Sequence, residues 1–293
     1  MYKGDFRLNY DLFTKETPFS FSKNSSIGCG GFAQTVFYPQ NETELCALLQ
    51  QLEKDGKTYY LLGNLTNVLP ADGESKRVIV RTKKLSKLIF SDEIFVGAGV
   101  SSGAFLQACK QNGKSGGEFL YGIPCTIGGA LYMNAGAASR YIEEIVENVL
   151  VYRKGNIQKI PLSDCGYAYK KSVFMENDDV ILGATVRLRD ATSEEIEEKI
   201  RYYKACRAHL PKGKSMGCVF KNPCGRFAGE LIEQSGLKGM RIGGAVVSEA
   251  HANFIMNDQH ATSAEIKQLI ALIKNAVSAQ YGIHLEEEIQ YLE

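Results

Sequence analysis

The stretch Gly122–Gly136, GIPCTIGGALYMNAG, limits what this chain can become more than any other. Five of its fifteen residues are glycine or proline, yet Ile, Leu, Tyr and Met are interleaved, so it is no solvated linker. Glycine permits positive φ and lets a ligand approach the main chain with no Cβ in the way. Ile-Pro followed by Thr-Ile-Gly-Gly-Ala therefore predicts a loop whose amide N–H groups face an anion, a phosphate above all. The alternative is a tight turn packed against a neighbouring helix. The segment alone leaves both readings open.

At 293 residues the chain exceeds what one hydrophobic core usually serves, so two domains are expected. A net charge of +1 offers no bulk field for nucleic acid or an acidic membrane surface. No run reaches the roughly 18 apolar residues of a membrane-spanning helix. The opening MYKGDFRLNYDLF lacks the apolar centre of an export signal, and a cytoplasmic location is expected. The eight cysteines form no C-x-x-C pair and the four histidines no H-E-x-x-H, so no metal site is expected. Most of the thiols should be reduced, buried and inert.

Residues 42–55 place Leu45, Leu48, Leu49 and Leu52 on one helical face, with Gly56 as the stop. Strands are expected at Thr58–Leu62, Arg77–Arg81 and Ile94–Val96, and a helix from Ser101 to Gln111. Lys154-Gly155-Asn156 reads as a hairpin turn between Asn148–Arg153 and Ile157–Ile160. Val180–Leu188 reads as a buried strand. The charged helix Ala191–Arg207, opened by the capping box Thr192-x-x-Glu195, marks the expected domain boundary. Beyond it come a strand at Cys218–Lys221, a helix at Phe227–Gln234 and strands at Ala245–Val247 and Asn253–Met256. A long helix from Thr262 and a final strand at Ile283–Tyr291 complete a mixed α+β order.

Two nucleotide motifs fail on spacing. In Gly97-Ala98-Gly99-Val100-Ser101-Ser102-Gly103 the third glycine is one residue late for a dinucleotide fingerprint, so a strand-to-helix turn explains it. Gly113-Lys114-Ser115 and Gly213-Lys214-Ser215 lack the earlier glycine of a phosphate loop, where Ala108 and Ala208 stand.

Four further patches carry polar residues that structure alone would not ask for. They are Gly63–Asn67, Tyr169-Lys170-Lys171-Ser172, Gly217-Cys218-Val219-Phe220-Lys221-Asn222-Pro223 and Leu285-Glu286-Glu287-Glu288-Ile289. In the last, alternation sends Glu286 and Glu288 to one face. In this order, and with GLKGMRIGGAVVSEAHANFIMN at Gly236–Asn257, the patches resemble the MurB family, the UDP-N-acetylenolpyruvoylglucosamine reductases of peptidoglycan synthesis. The resemblance runs from about Ser25 to Glu288 and is to the shorter type, which lacks a tyrosine-bearing insertion.

The resemblance implies an α+β fold: a two-lobed FAD-binding domain of the vanillyl-alcohol-oxidase type, then an α+β substrate-binding domain. The division expected is 1–190, with lobes of about 1–70 and 71–190, and 191–293, whose last strand returns to the FAD site. By the same resemblance Gly63, Asn64, Leu65, Thr66, Asn67 and Val68 cradle the FAD diphosphate with Gly122, Ile123, Pro124, Thr126, Gly128, Gly129 and Ala130. Asn134 stands close to the flavin. Tyr169, Lys221, Asn222 and Arg241 would contact the nucleotide-sugar. The reaction implied uses NADPH as electron donor. Lys170, Cys218 and Glu288 then serve the reacting carbon, as carboxylate partner, proton donor and stabiliser of the enolic intermediate. A monomer is expected.

The pattern departs from the family at several positions. Lys170 stands where the family has arginine, Leu65 and Thr66 replace a Gly-Ser, and Cys125 replaces a glycine. Lysine keeps the charge but loses the planar bidentate fork. Two alternatives stay open on these departures. One is a flavin oxidoreductase acting on another substrate. The other is a relative that binds flavin or nucleotide-sugar without turnover.

Overall fold

The structure, a computed structural model describing residues 9–293, gathers into two compact units, each assembled from separate stretches. The first takes residues 9–17, Thr35–Asn64 and Arg77–Cys206; the second takes Pro18–Gln34, Leu65–Lys76 and Arg207–Glu293. Residues 1–8 of the N-terminal stretch read above lie outside the description. A contiguous cut at residue 190 is thus not the division by compactness. The charged helix, at Ser193–Cys206, stays with the first unit through Lys110–Glu197 and a bond from Lys199 Nζ to Ser115 Oγ.

In the first unit Asn41 caps the helix Glu42–Lys54 by accepting from Glu44 N at 2.9 Å. Its four leucines are buried in one cluster with Phe37 and Val80. A four-stranded sheet runs in the order Lys15–Glu16, Val36–Phe37, Val78–Arg81, Tyr59–Leu62, and its last three strands are parallel. A five-stranded antiparallel sheet runs Asn156–Pro161, Val146–Arg153, Val180–Val186, Ile94–Gly97, Leu88–Phe90. Every residue of its central strand, Val180–Val186, is buried, as a near-continuous apolar run requires. The hairpin turn bends at Lys154 and Gly155, with φ of 47° and 84°, the left-handed pair of a tight two-residue turn.

In the second unit the antiparallel order is Ser215–Cys218, Phe254–Asn257, Ala245–Val247, Arg241–Ile242. Thr262 and Glu265 form the capping box of the helix Ser263–Tyr281, which buries Ile266, Leu269, Ile270, Ile273 and Val277. The two early segments join this unit through specific bonds. Asp72 accepts from Ser263 N and Ala264 N at 2.8 and 2.9 Å, capping the long helix from outside. Asn257 Nδ2 donates to Ile27 O at 2.9 Å.

Three expectations need correction. The second half of the glycine-rich stretch is a helix, Ile127–Met133, not loop. Its buried Ile127, Ala130, Leu131 and Met133 outweigh the poor propensity of two glycines. The strand expected at Cys218–Lys221 lies earlier, at Ser215–Cys218, because the chain then leaves that sheet and Phe220 bridges Glu287. The final strand contracts to Gln290–Leu292, which pairs in parallel with Val68–Pro70, while Glu287 before it bridges Phe220 instead.

Candidate active site

In the first unit the glycine-rich segment and the end of the strand Tyr59–Leu62 are built against each other. Thr126 caps the helix Ile127–Met133 by accepting from Gly129 N at 3.2 Å. A Cβ at Gly63 would collide with that same threonine hydroxyl, so only glycine lets the two loops approach. Asn64 Nδ2 donates to Pro124 O at 3.1 Å and closes the contact. A Cβ at Gly128 would stand 2.9 Å from the Ala98 Cβ, which makes this glycine a packing requirement against the strand-to-helix turn. Ser102 Oγ donates to Ile123 O at 2.5 Å, and Ser101 bridges Thr126. Gly122 keeps positive φ, 72°, and is exposed. A cavity of about 530 Å³ opens beside Gly122, Ile123 and Pro124, walled by Leu106, Tyr121 and Ile200 among others.

Asn134 ends that helix in the left-handed region, φ 44°, and is fully buried. Its Nδ2 donates to Ala168 O at 3.0 Å and its Oδ1 accepts from Glu143 N at 3.3 Å. Ser172 Oγ donates to Tyr132 O at 2.6 Å. The segment 168–172 is therefore stapled at both ends to the helix of the glycine-rich stretch. Between the staples Ala168 and Lys171 pair as a tight bridge, and Lys170 takes φ 54° at its tip, half-buried. Tyr169 is exposed and meets Tyr141 edge-on at 6.3 Å.

In the second unit Cys218–Asn222 and the C-terminal glutamates run side by side. Glu288 N donates to Val219 O and Lys221 N to Glu286 O, both at 2.8 Å. Asn67 links the first loop to this pair: its Nδ2 donates to Glu288 O at 3.0 Å, and its carbonyl accepts from Gln290 N at 2.9 Å. The three glutamates have separate surroundings. Lys221 Nζ holds Glu286 at 2.5 Å and Lys274 Nζ holds Glu287 at 2.9 Å. Glu288 is half-buried, its backbone fixed on both sides. Cys218 is also half-buried. The Asn222 side chain accepts from Ala228 N at 3.0 Å at the start of the helix Ala228–Gln234. Arg241 forks onto Asp258 at 2.6 and 2.7 Å, which holds that carboxyl below the usual aspartate range.

A family model for the UDP-N-acetylenolpyruvoylglucosamine reductase C-terminal domain matches residues 209–292, and one for an FAD-binding domain matches residues 33–160. The UDP-N-acetylenolpyruvoylglucosamine reductase of Geobacter metallireducens is 37% identical over 273 residues, 92% of this chain and 91% of that protein. The chain belongs to the UDP-N-acetylenolpyruvoylglucosamine reductase (MurB) family. The reductase of Caldicellulosiruptor saccharolyticus is 35% identical over 99% of the chain and 94% of that protein. The crystal structure of the reductase from Thermus caldophilus superimposes with a TM-score of 0.84 at 29% identity, covering 96% of this chain and 100% of that one. The fold is accordingly α+β, an FAD-binding domain followed by a MurB C-terminal domain.

The residues present fit the flavin cofactor of that family. Gly63 has no room for a Cβ against Thr126, so its loop packs close to the second, and the loop at Gly122–Pro124 borders open space. The departures fit as well. Cys125 is buried and takes no positive φ, so the family glycine's freedom is not needed there. Leu65 does adopt φ 57°, the conformation natural to the glycine it replaces, with its side chain buried. Four residues on which the site depends carry no role in the sequence reading. Asn253 is buried and both accepts from Phe220 N at 2.9 Å and donates to Phe220 O at 2.8 Å. Asn257, Ser102 and Ser172 do similar work.

Proposed function

We infer that the chain is an NADPH-dependent, FAD-mediated reductase. It converts the enolpyruvyl group of UDP-N-acetylglucosamine enolpyruvate to UDP-N-acetylmuramate, a precursor of peptidoglycan. Membership of the reductase family along nearly the whole chain carries this reading. When bound, FAD supplies the hydride chemistry, accepting from NADPH and delivering to the vinyl CH₂ carbon.

In this reading Gly63–Val68 and Gly122–Ala130 cradle the FAD diphosphate. Much of the second segment's main chain is committed to its own packing, with the amides of Ile127 and Gly128 bonded to Val100 O and Ala98 O. Asn134 shapes the flavin's surroundings. Lys221, Asn222, Arg241 and Tyr169 bind the nucleotide-sugar. Hydride arrival leaves negative charge on the carbon next to the substrate carboxylate, and Lys170 offsets it through the carboxylate. Cys218 then gives its thiol proton to that carbon. A cysteine thiol, with a pKa near 8.5, is mostly protonated at neutral pH and more acidic than an alcohol. Glu288, fixed between Val219 and Asn67, steadies the enolic state. Residues 1–190 serve the cofactor and 191–293 the substrate, and the C-terminal segment returns to the cofactor loop. Among the described residues no helix is long and apolar enough to cross a membrane. The enzyme acts in the cytoplasm as a monomer, on a small nucleotide-sugar and no nucleic acid. It serves cell-wall synthesis and, through it, cell shape, the cell cycle and cell division.

Purified protein tests this directly. The reading expects a yellow chromophore bleached by NADPH and restored by the enolpyruvyl nucleotide. Bleaching without restoration would assign another substrate, and protein that takes up no FAD would refute turnover.

A further inference from the structure

The geometry points to Glu286 as a positioning residue that aims the Lys221 ammonium at the diphosphate of the nucleotide-sugar. This rests on the reading of Lys221 as a substrate contact. The two residues share a frame set by the backbone. Lys221 N donates to Glu286 O at 2.8 Å, one position from the Phe220–Glu287 bridge. Directly opposed residues of an antiparallel pair carry their side chains on one face. On that face Lys221 Nζ donates to Glu286 Oε1 at 2.5 Å.

The two partners are confined very differently. The Lys221 side chain is 24% exposed and that of Glu286 71%. The lysine stem is packed, and the carboxylate reaches it from the solvent side. An ammonium has three donors, so one bond to Glu286 leaves two for phosphate oxygens. A long side chain held in one rotamer before the substrate arrives loses less freedom on binding. Glu287 is no substitute, since it is held by Lys274 at 2.9 Å. A purely competitive role for Glu286 predicts the opposite sign, because an anion beside Lys221 would repel phosphate.

The test uses the FAD-loaded full chain. Binding of UDP-N-acetylglucosamine is measured by calorimetry, and KM and kcat with the enolpyruvyl nucleotide, for E286A, E286D, K221M and K221M/E286A. E286A should weaken binding and raise KM about fivefold, the scale of an exposed ion pair, with kcat little changed. E286D should recover part of that loss, and E286A should add nothing in the K221M background. Wild-type or tighter binding by E286A, with K221M weakened, overturns the positioning role alone. So does an equal loss on adding E286A to K221M. Normal binding by K221M overturns the reading of Lys221 and this inference with it.

Discussion

At the scale of single residues, the proposed mechanism turns on the sulfur at 218 and the cation at 170. Substitution Cys218→Ala should leave flavin reduction by NADPH intact while slowing reoxidation by the enolpyruvyl nucleotide about 10²–10⁴-fold, the usual worth of a positioned acid. Stopped-flow absorbance separates the two half-reactions, and normal rates in both would remove Cys218 from the mechanism. Lys170 sits at φ 54°, a strained backbone for any residue with a Cβ, and its neighbours are stapled by Asn134 and Ser172. The chain thus presents a charge at a fixed tip, without the fork that arginine would bring. Lys170→Arg should lower KM for the enolpyruvyl nucleotide several-fold, about the difference between a single and a bidentate charged contact. A KM equal to wild type would mean that this side chain does not reach the carboxylate.

At the scale of elements, the site depends on short stretches that have little regular structure of their own. Phe220 bridges Glu287 away from any continuous ladder, so its backbone polar groups need another partner. Asn253 supplies it, bonding both the N–H and the carbonyl of Phe220 from the start of the neighbouring strand. Asn253→Ala would strand two buried backbone groups, and a loss of about 3 kcal/mol of stability is expected. Denaturant unfolding with and without UDP-N-acetylglucosamine measures it. If Lys221 and Asn222 bind the nucleotide-sugar as proposed, substrate binding should fall with stability, because both ride on the same segment. Unchanged stability would show that the Phe220 groups find other partners.

At the scale of the molecule, each compact unit borrows from distant parts of the chain, and helix caps are among the clasps. Glu265 accepts from Thr262 N at 2.9 Å and Gly244 N at 3.3 Å, and Asp72 caps the same helix from a segment nearly two hundred residues earlier. The bonds from Thr262 and Gly244 hold the Glu265 carboxyl below its ordinary value of 4.5. A carboxyl depressed in the folded state lends stability above its unfolded pKa. That stability is lost as pH falls through the folded value. Glu265→Gln should therefore narrow the stability gap between pH 7 and pH 3, seen as a flatter dependence of the urea midpoint on pH. An identical pH dependence in wild type and variant would show that this cap does not titrate on folding.

Periodicity and turn chemistry made much of the fold legible. The leucines of Glu42–Lys54, the Lys154-Gly155 turn, the buried run from Val180 and the Thr262–Glu265 box all act within a few residues, where local sterics and burial agree. The motifs also named the family, because glycines such as Gly63 and Gly128 mark close backbone approaches and the polar patches keep a fixed order along the chain. Longer-range choices could not be read along the chain. Whether 65–76 and 18–34 joined the early or the late unit turned on bonds such as Asp72 to Ser263 and Asn257 to Ile27. The chain carries no mark of those partners. Likewise three adjacent glutamates are equivalent as letters. Lys221 and Lys274 set two of them apart only once strand register brought those lysines alongside. Register is a property of paired chains, and pairing depends on which surfaces can be buried together.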